Sequence, residues 1–245
     1  MPKIVYDGMK FFQMICLAAL LSACSKETTT ISQPIVPNTP QSDTFKVNYL
    51  ALGDSYTIGQ SVAFEGNFPN QLAKVLANDT ILFNEVKIIA TTGWTTTNLI
   101  DAINNQNLDK KYNLVSLLNG VNNQYQNKPI ELYKTEFKTL LNKAIALANF
   151  DTNKVFVVSI PDYGFTPFGK NNQSTISAQL ENYNQINKSI TDSLNVCYVN
   201  ITPISQMGLT NPELVASDGL HPSATMYKMW VDLMKPVVYK NIVGK

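Results

Sequence analysis

The sequence lacks arginine: all 19 of its basic residues are lysines, set against 18 acidic residues. The formal net charge is therefore only +1, and no strong field is directed at nucleic acid or at anionic lipid. Without guanidinium groups the chain is poorly equipped for bidentate recognition of phosphate or carboxylate. These absences disfavour a nucleic-acid-binding protein, and we expect no nucleic-acid partner.

Metal ligands are also scarce. The chain has one histidine, His221, and three cysteines, of which Cys197 alone lies well inside the chain. One imidazole and one free thiol cannot form the usual zinc clusters. We therefore expect neither a metal nor a cofactor.

The N-terminal segment is typical of an export signal. Lys10 precedes an apolar run over residues 11–21 that is too short to span a bilayer, and small residues follow it. The sequence Leu21-Ser22-Ala23-Cys24 resembles the lipobox of bacterial lipoproteins, which implies removal of residues 1–23 and lipidation of Cys24. A plain secretory signal with an incidental cysteine is the alternative.

A lipid anchor at Cys24 implies an exported protein whose membrane contact is that anchor. By analogy with lipoprotein sorting, Ser25 after the cysteine favours the outer membrane. Residues 24–44, rich in Ser, Thr and Pro, predict an extended tether. The globular domain is then 45–245, which we expect to be a monomer.

Apolar strand-like runs alternate with helical stretches across this domain. The predicted strands are 46–52, 86–90, 114–118, 155–160 and 196–201. The predicted helices are 69–77, 97–104, 130–148, 176–194 and a last one from Pro222 to just before Pro236. This α/β alternation predicts a five-stranded parallel sheet covered by helices on both faces. Ligands in such sheets bind outside the carboxyl ends of the strands.

A candidate nucleophile and a candidate base lie in the loops at those strand ends. Ser55 follows the first strand on a Gly-Asp-Ser turn, and a serine needs an adjacent base to act as a nucleophile. His221 follows the last strand, with Asp218 three residues earlier to orient its ring. The alternatives are a structural histidine and an aspartate that only closes a turn. For Asp54 we expect such a turn role.

An oxyanion needs hydrogen-bond donors. Gly93 after the second strand can bring its backbone N–H close, Asn122 after the third can donate from its amide, and Ser55 can offer its own N–H. Such donors would stabilise the tetrahedral intermediate that forms when Ser55 attacks a carbonyl carbon with His221 as base, a route that passes through an acyl-enzyme.

These motifs resemble the SGNH, or GDSL, hydrolase family. The resemblance rests on GDSYTIG at 53–59, Gly93, GVNN at 120–123 and DGLHP at 218–222. It implies a flavodoxin-like three-layer α/β/α sandwich and hydrolysis of carboxylic esters, with Ser55, Gly93, Asn122 and His221 as signature residues and Asp218 as partner of the histidine. Asn123 departs from the family, which often has aspartate there.

Aromatic residues in the same loops predict the walls of a substrate pocket. They are Trp94, Tyr125, Tyr163, Phe165 and Phe168. We expect short-acyl or acetyl esters, possibly of carbohydrate, as substrates. A lysophospholipase or lipase-type esterase and a non-catalytic surface-binding lipoprotein remain alternatives. A nucleotide-binding module is disfavoured because GDSYTIG matches neither phosphate-binding glycine motif.

Overall fold

A computed structural model of the chain describes residues 44–108 and 111–243. The predicted signal peptide, the Cys24 lipidation site and the tether up to residue 43 lie outside the described residues. Within the described ranges, no helix combines the length and the apolar character that crossing a bilayer requires.

A parallel sheet of five strands forms the centre of the described residues. The strands are β1 (Phe45–Gly53), β2 (Ile81–Ala90), β3 (Leu114–Leu118), β4 (Val155–Val158) and β5 (Cys197–Val199). Their spatial order is β2-β1-β3-β4-β5, and each neighbouring pair is parallel. This is the strand order of flavodoxin-like folds and confirms the predicted fold class.

Helices cover both faces of the sheet. In chain order they are α1 (Ser55–Ile58), α2 (Phe68–Leu76), α3 (Thr96–Asn104), α4 (Val121–Tyr125), α5 (Ile130–Leu147), α6 (Gln173–Ser193), α7 (Thr202–Ser205) and α8 (Ala224–Val243). α2 packs on α8, whereas α5 packs on both α3 and α6. The short helices α1, α4 and α7 were not predicted from the sequence, because each is barely longer than one turn.

The central strands have no exposed face. All residues of β3 and β4 are buried, and β1 is buried from Tyr49 to Gly53. This double burial explains why the strands read as continuous apolar runs rather than as alternating patterns. At roughly 1.5–3 kcal/mol for each fully buried large apolar side chain, this core is the main source of stability.

The last helix does not stop before Pro236, so that boundary prediction was wrong. α8 continues through the proline to Val243. Proline removes one helical hydrogen bond, which would otherwise end on the carbonyl of Asp232. Asp232 is exposed, so water can reach this part of the helix, whereas Val238 and Ile242 beyond the proline are buried in the core. Burial of the last two turns therefore outweighs the local cost.

The register of the sheet brings the loops of the site together. Gly53, the last residue of β1, pairs with Ala90 at the end of β2 and with Leu118 at the end of β3. The chain order reverses between β1 and β3, which is where ligands bind in open α/β sheets. The loops that carry Ser55, Gly93 and Asn122 therefore leave the sheet side by side.

Candidate active site

Ser55 lies on a turn that requires the glycine before it. A Cβ on Gly53 would lie 2.0 Å from Thr57 Oγ1 and 2.4 Å from the carbonyl oxygen of Leu118, so only glycine fits. α1 begins at Ser55 itself, with Asp54 as the N-cap. As the first helical residue, Ser55 has a backbone N–H that takes no part in the hydrogen bonds of the helix.

Asp54 is a buried carboxyl group that joins two of the site loops. Its Oδ1 accepts from the Tyr56 N–H at 3.1 Å, and its Oδ2 accepts from Asn119 Nδ2 at 3.4 Å. Burial raises the pKa of Asp54 to about 7, although backbone hydrogen bonds from Tyr56 and Gly120 act in the opposite direction. Asp54 is 1% exposed and points away from solvent, in keeping with a role in shaping the turn.

His221 is oriented by Asp218 within one short loop. His221 Nδ1 lies 2.6 Å from Asp218 Oδ2, and Asp218 Oδ1 accepts from the backbone N–H groups of Leu220 and His221 at 2.9 and 3.0 Å. Burial by itself would raise the pKa of Asp218, but hydrogen bonds from Ser61, His221 and Leu220 outweigh it and hold the pKa well below its usual range. Since the carboxylate has no proton to give, Nδ1 is the donor, and in the neutral imidazole Nε2 is then the acceptor that a general base needs.

The predicted oxyanion donors Gly93 and Asn122 are positioned in different ways. A backbone conformation sets the place of Gly93, and a hydrogen bond to a carbonyl group sets that of Asn122. Gly93 has φ +84°, which favours glycine, and a Cβ there would meet open space. Asn122 Nδ2 donates to the carbonyl of Trp94 at 3.1 Å, and Asn119 Nδ2 donates to the same oxygen at 3.2 Å. The loops after β2 and β3 are thereby held against each other.

The predicted nucleophile, base and oxyanion donors line a single cavity. Ser55, Gly93, Asn122 and His221 all contribute to its wall, and its volume is about 310 Å³. Ser55 and His221 are only 4% and 7% exposed, so the reacting groups are largely shielded from bulk water. Asp218 stands behind His221 and does not line the cavity.

Three of the five predicted aromatic residues line this cavity. They are Tyr125, Tyr163 and Phe168, whose ring centroids lie 6.1–6.3 Å apart. Trp94 and Phe165 do not line it. The Trp94 side chain packs against the hydrophobic core. Phe165 ends the 3₁₀ turn that begins at Tyr163, and at three residues per turn its side chain projects in a different direction from that of Tyr163.

Two features of the site were not assigned from the sequence. Ser61 donates to Asp218 Oδ2 at 2.6 Å, and no sequence pattern marks a serine 157 residues away as its partner. Asn123, where the family often has aspartate, is buried, and its amide accepts from the Thr96 N–H and donates to Thr96 Oγ1 at 3.0 and 2.7 Å. It therefore fixes the start of α3.

A sequence model of the GDSL-like lipase/acylhydrolase family matches residues 51–229. The chain belongs to this family. It is accordingly a carboxylic ester hydrolase, as the four motifs predicted. No curated protein sequence gave a significant match to the chain.

Several solved structures share the fold of this GDSL-family hydrolase. TesA matches with a TM-score of 0.63 and 15% identity over 79% of this chain and 99% of its own. Axe2, an acetylxylan esterase from Geobacillus stearothermophilus, matches with a TM-score of 0.61 and 16% identity over 82% and 96%. The psychrotrophic esterase EstA from Pseudoalteromonas sp. matches with a TM-score of 0.57 and 16% identity over 79% and 97%.

Proposed function

We propose that this hydrolase cleaves short-acyl or acetyl esters through an acyl-enzyme on Ser55, and that the esterified alcohol can be a carbohydrate hydroxyl group. The observation that carries the proposal is the single cavity that both Ser55 and His221 line, with His221 Nδ1 held by Asp218 at 2.6 Å. A serine and an imidazole that line one cavity, with the imidazole oriented by a carboxylate, are the minimal apparatus for nucleophilic ester cleavage.

The reaction proceeds in two halves. His221 Nε2 takes the proton from Ser55 Oγ as Oγ attacks the ester carbonyl carbon, and Asp218 stabilises the imidazolium. The N–H groups of Ser55 and Gly93 and the amide of Asn122 stabilise the oxyanion. The imidazolium then gives its proton to the departing alcohol oxygen. In the second half His221 takes a proton from water as the water oxygen attacks the acyl carbon, and the imidazolium then returns this proton to Ser55 Oγ as the bond between Oγ and the acyl carbon breaks and the carboxylic acid is released.

The wall of the cavity supports an uncharged substrate of modest size. None of the residues that line it is a lysine, an aspartate or a glutamate, so a charged headgroup would meet no opposite charge. Its volume of about 310 Å³ is at the small end of ligand pockets. Half-exposed rings of Tyr125 and Phe168 at the rim offer faces on which a sugar ring can stack. The acetylxylan esterase among the structures of like fold is consistent with this substrate class.

Turnover of p-nitrophenyl esters from acetate to palmitate, and of acetylated xylo-oligosaccharides, tests the proposal. We expect Ser55→Ala to abolish both hydrolysis and labelling by a fluorophosphonate probe, because the nucleophile is lost. Ser193→Ala, which removes an exposed hydroxyl at the end of α6, is the matched control and should behave as the wild type. Activity in Ser55→Ala would refute the mechanism. Highest kcat/KM for palmitate would favour the lipase alternative, and a folded protein that neither labels nor hydrolyses would favour a binding protein.

We also propose that the enzyme is exported and anchored by lipid at Cys24, at the outer membrane. The support is the short apolar segment and the Leu-Ser-Ala-Cys sequence that ends at Cys24. Metabolic labelling with a radioactive fatty acid should mark the wild type and not Cys24→Ala, and the variant should move from the membrane to the soluble fraction. Unchanged membrane association of the unlabelled variant would overturn the lipid anchor.

A further inference from the structure

We propose that Ser61 is a positioning residue that holds the Asp218–His221 pair against the turn of the nucleophile. This inference rests on the proposed function, because it assigns Ser61 a part in the same reaction. Ser61 Oγ donates to Asp218 Oδ2 at 2.6 Å, and Oδ2 is also the oxygen that His221 Nδ1 contacts.

Ser61 belongs to a different segment of the chain from the other hydrogen-bond partners of Asp218. The backbone N–H groups of Leu220 and His221 and the His221 ring all belong to the same loop as Asp218. They fix the carboxylate relative to that loop but not relative to Ser55. Ser61 lies 157 residues away from Asp218, so its hydroxyl ties the acid–base loop to a different part of the site.

The segment that carries Ser61 is connected directly to Ser55. The N–H groups of Gly59 and Gln60 both donate to the carbonyl of Ser55, at 3.1 and 3.0 Å. The side-chain oxygen of Gln60 also accepts from Thr92 Oγ1 at 2.6 Å, next to Gly93. A displacement of Ser61 would therefore also displace Ser55 and the loop that carries Gly93. For this reason the hydrogen bond between Ser61 and Asp218 can control the alignment of His221 with Ser55.

The backbone at Ser61 is unfavourable for serine. Its φ is +68°, in the left-handed region where glycine and asparagine are preferred. Of the other four non-glycine residues with positive φ in the described part of the chain, three are asparagines, namely Asn127, Asn149 and Asn195. A strained conformation persists where the surrounding structure holds it in place, and such positions cluster at functional sites. Glycine would fit this backbone conformation better, but it has no side chain to donate the hydrogen bond that Ser61 makes to Asp218.

The test is Ser61→Gly, which removes the hydroxyl and also relieves the backbone strain. We expect unchanged or higher thermal stability together with a loss in kcat of roughly 10- to 100-fold, as for a lost hydrogen bond to a charged group, and little change in KM. Asn195→Gly relieves a similar φ of +53° at a turn outside the cavity, and should leave kcat unchanged.

A double-mutant cycle with Asp218→Asn separates this inference from the proposed function. If Ser61 acts through Asp218, the double variant should lose no more activity than Asp218→Asn alone. Wild-type kcat in Ser61→Gly, or losses that multiply in the double variant, would overturn the role of Ser61 while leaving the mechanism intact. Full activity in Asp218→Asn or Ser55→Ala would instead overturn the proposed function.

Discussion

Asn122 donates one amide hydrogen to the carbonyl of Trp94, across 3.1 Å. A side-chain amide has two hydrogens, so this contact fixes the plane of the group and leaves the second hydrogen for another acceptor. Because Asn122 lines the cavity beside Ser55, the Trp94 carbonyl orients a donor before any substrate binds. Donors held in this way need no reorganisation when negative charge develops.

We expect Asn122→Ala to lower kcat by about 10²–10³-fold with little change in KM, because the lost donor acts mainly on the transition state. Asn122→Asp should be at least as impaired, since a carboxylate cannot donate to an oxyanion. Steady-state kinetics on p-nitrophenyl acetate measures both. Asn104→Ala, on the exposed end of α3, is the control. Near-normal kcat in Asn122→Ala would remove Asn122 from the oxyanion hole.

The sequence was sufficient to predict the sheet because its central strands are buried on both faces and its edge strands are mostly apolar as well. Each of the five strands is marked by a short run rich in valine, isoleucine and leucine, and the predicted runs overlap all five strands of the structure. The loops that carry Ser55, Gly93, Asn122 and His221 could be predicted as a group because parallel strands end at one edge.

Side-chain direction and long-range pairing could not be predicted in this way. Phe165 lies in a strand-end loop like Tyr163, but the geometry of its 3₁₀ turn directs it away from the cavity. Ser61 contacts Asp218 from the turn after α1, where Gly59 and Ser61 both have positive φ values. Such backbone states depend on tertiary contacts that no local pattern specifies.

Asp54→Asn should change how stability depends on pH. The pKa of Asp54 is raised to about 7 by burial, so the folded protein binds its proton more tightly than the unfolded chain does. The proton on Asp54 therefore stabilises the folded state fully below about pH 4, and this stabilisation is lost as the pH rises through about 7. The variant has no such titration, and relative to wild type its free energy of unfolding should increase between pH 4 and pH 8 by up to about 4 kcal/mol.

Urea unfolding of both proteins at pH 4.5, 6 and 8 measures this difference, and other titrating groups cancel because both proteins share them. Asparagine can keep the bond from the Tyr56 N–H through its carbonyl oxygen. Its amide can donate to Asn119 Oδ1, which is buried without a hydrogen-bond partner, if the Asn119 amide rotates. A stability difference that is the same at all three pH values would show that Asp54 is ionised throughout.

Gly120→Ala should be strongly destabilising. Gly120 has φ +132°, and an added Cβ would lie 2.6 Å from the Tyr133 ring and 2.8 Å from Ile160 Cδ1. Backbone strain and overpacking together should cost on the order of 3 kcal/mol or more. Gly93→Ala is the matched comparison because φ is also positive but the Cβ meets open space, so it should cost only about 1–2 kcal/mol. Equal losses for the two variants in urea unfolding would show that the contact with Tyr133 does not matter.

Phe168→Ala should weaken substrate binding without affecting the chemical step. The Phe168 ring is 52% exposed and lies 6.1 Å from the Tyr125 ring, so together they form an open apolar face at the rim of the cavity. Removing one ring lowers the area available to the bound ester in the ground state and in the transition state alike. Such uniform binding appears in KM, and we expect a five- to twentyfold increase with kcat within about twofold of wild type.

The control for this variant is Phe150→Ala, because Phe150 is even more exposed, at 75%, and precedes β4 at the opposite end of the strand. It should leave KM unchanged.

Comparing p-nitrophenyl acetate with an acetylated xylo-oligosaccharide then identifies which part of the substrate the rim of the cavity contacts. An increase in KM for the oligosaccharide alone would indicate that Phe168 contacts the sugar, whereas equal increases would indicate contact close to the ester. A lower kcat with unchanged KM would contradict a binding role and would point instead to the backbone contact between Phe168 and Gly219, a hydrogen bond of 3.0 Å to the loop of His221.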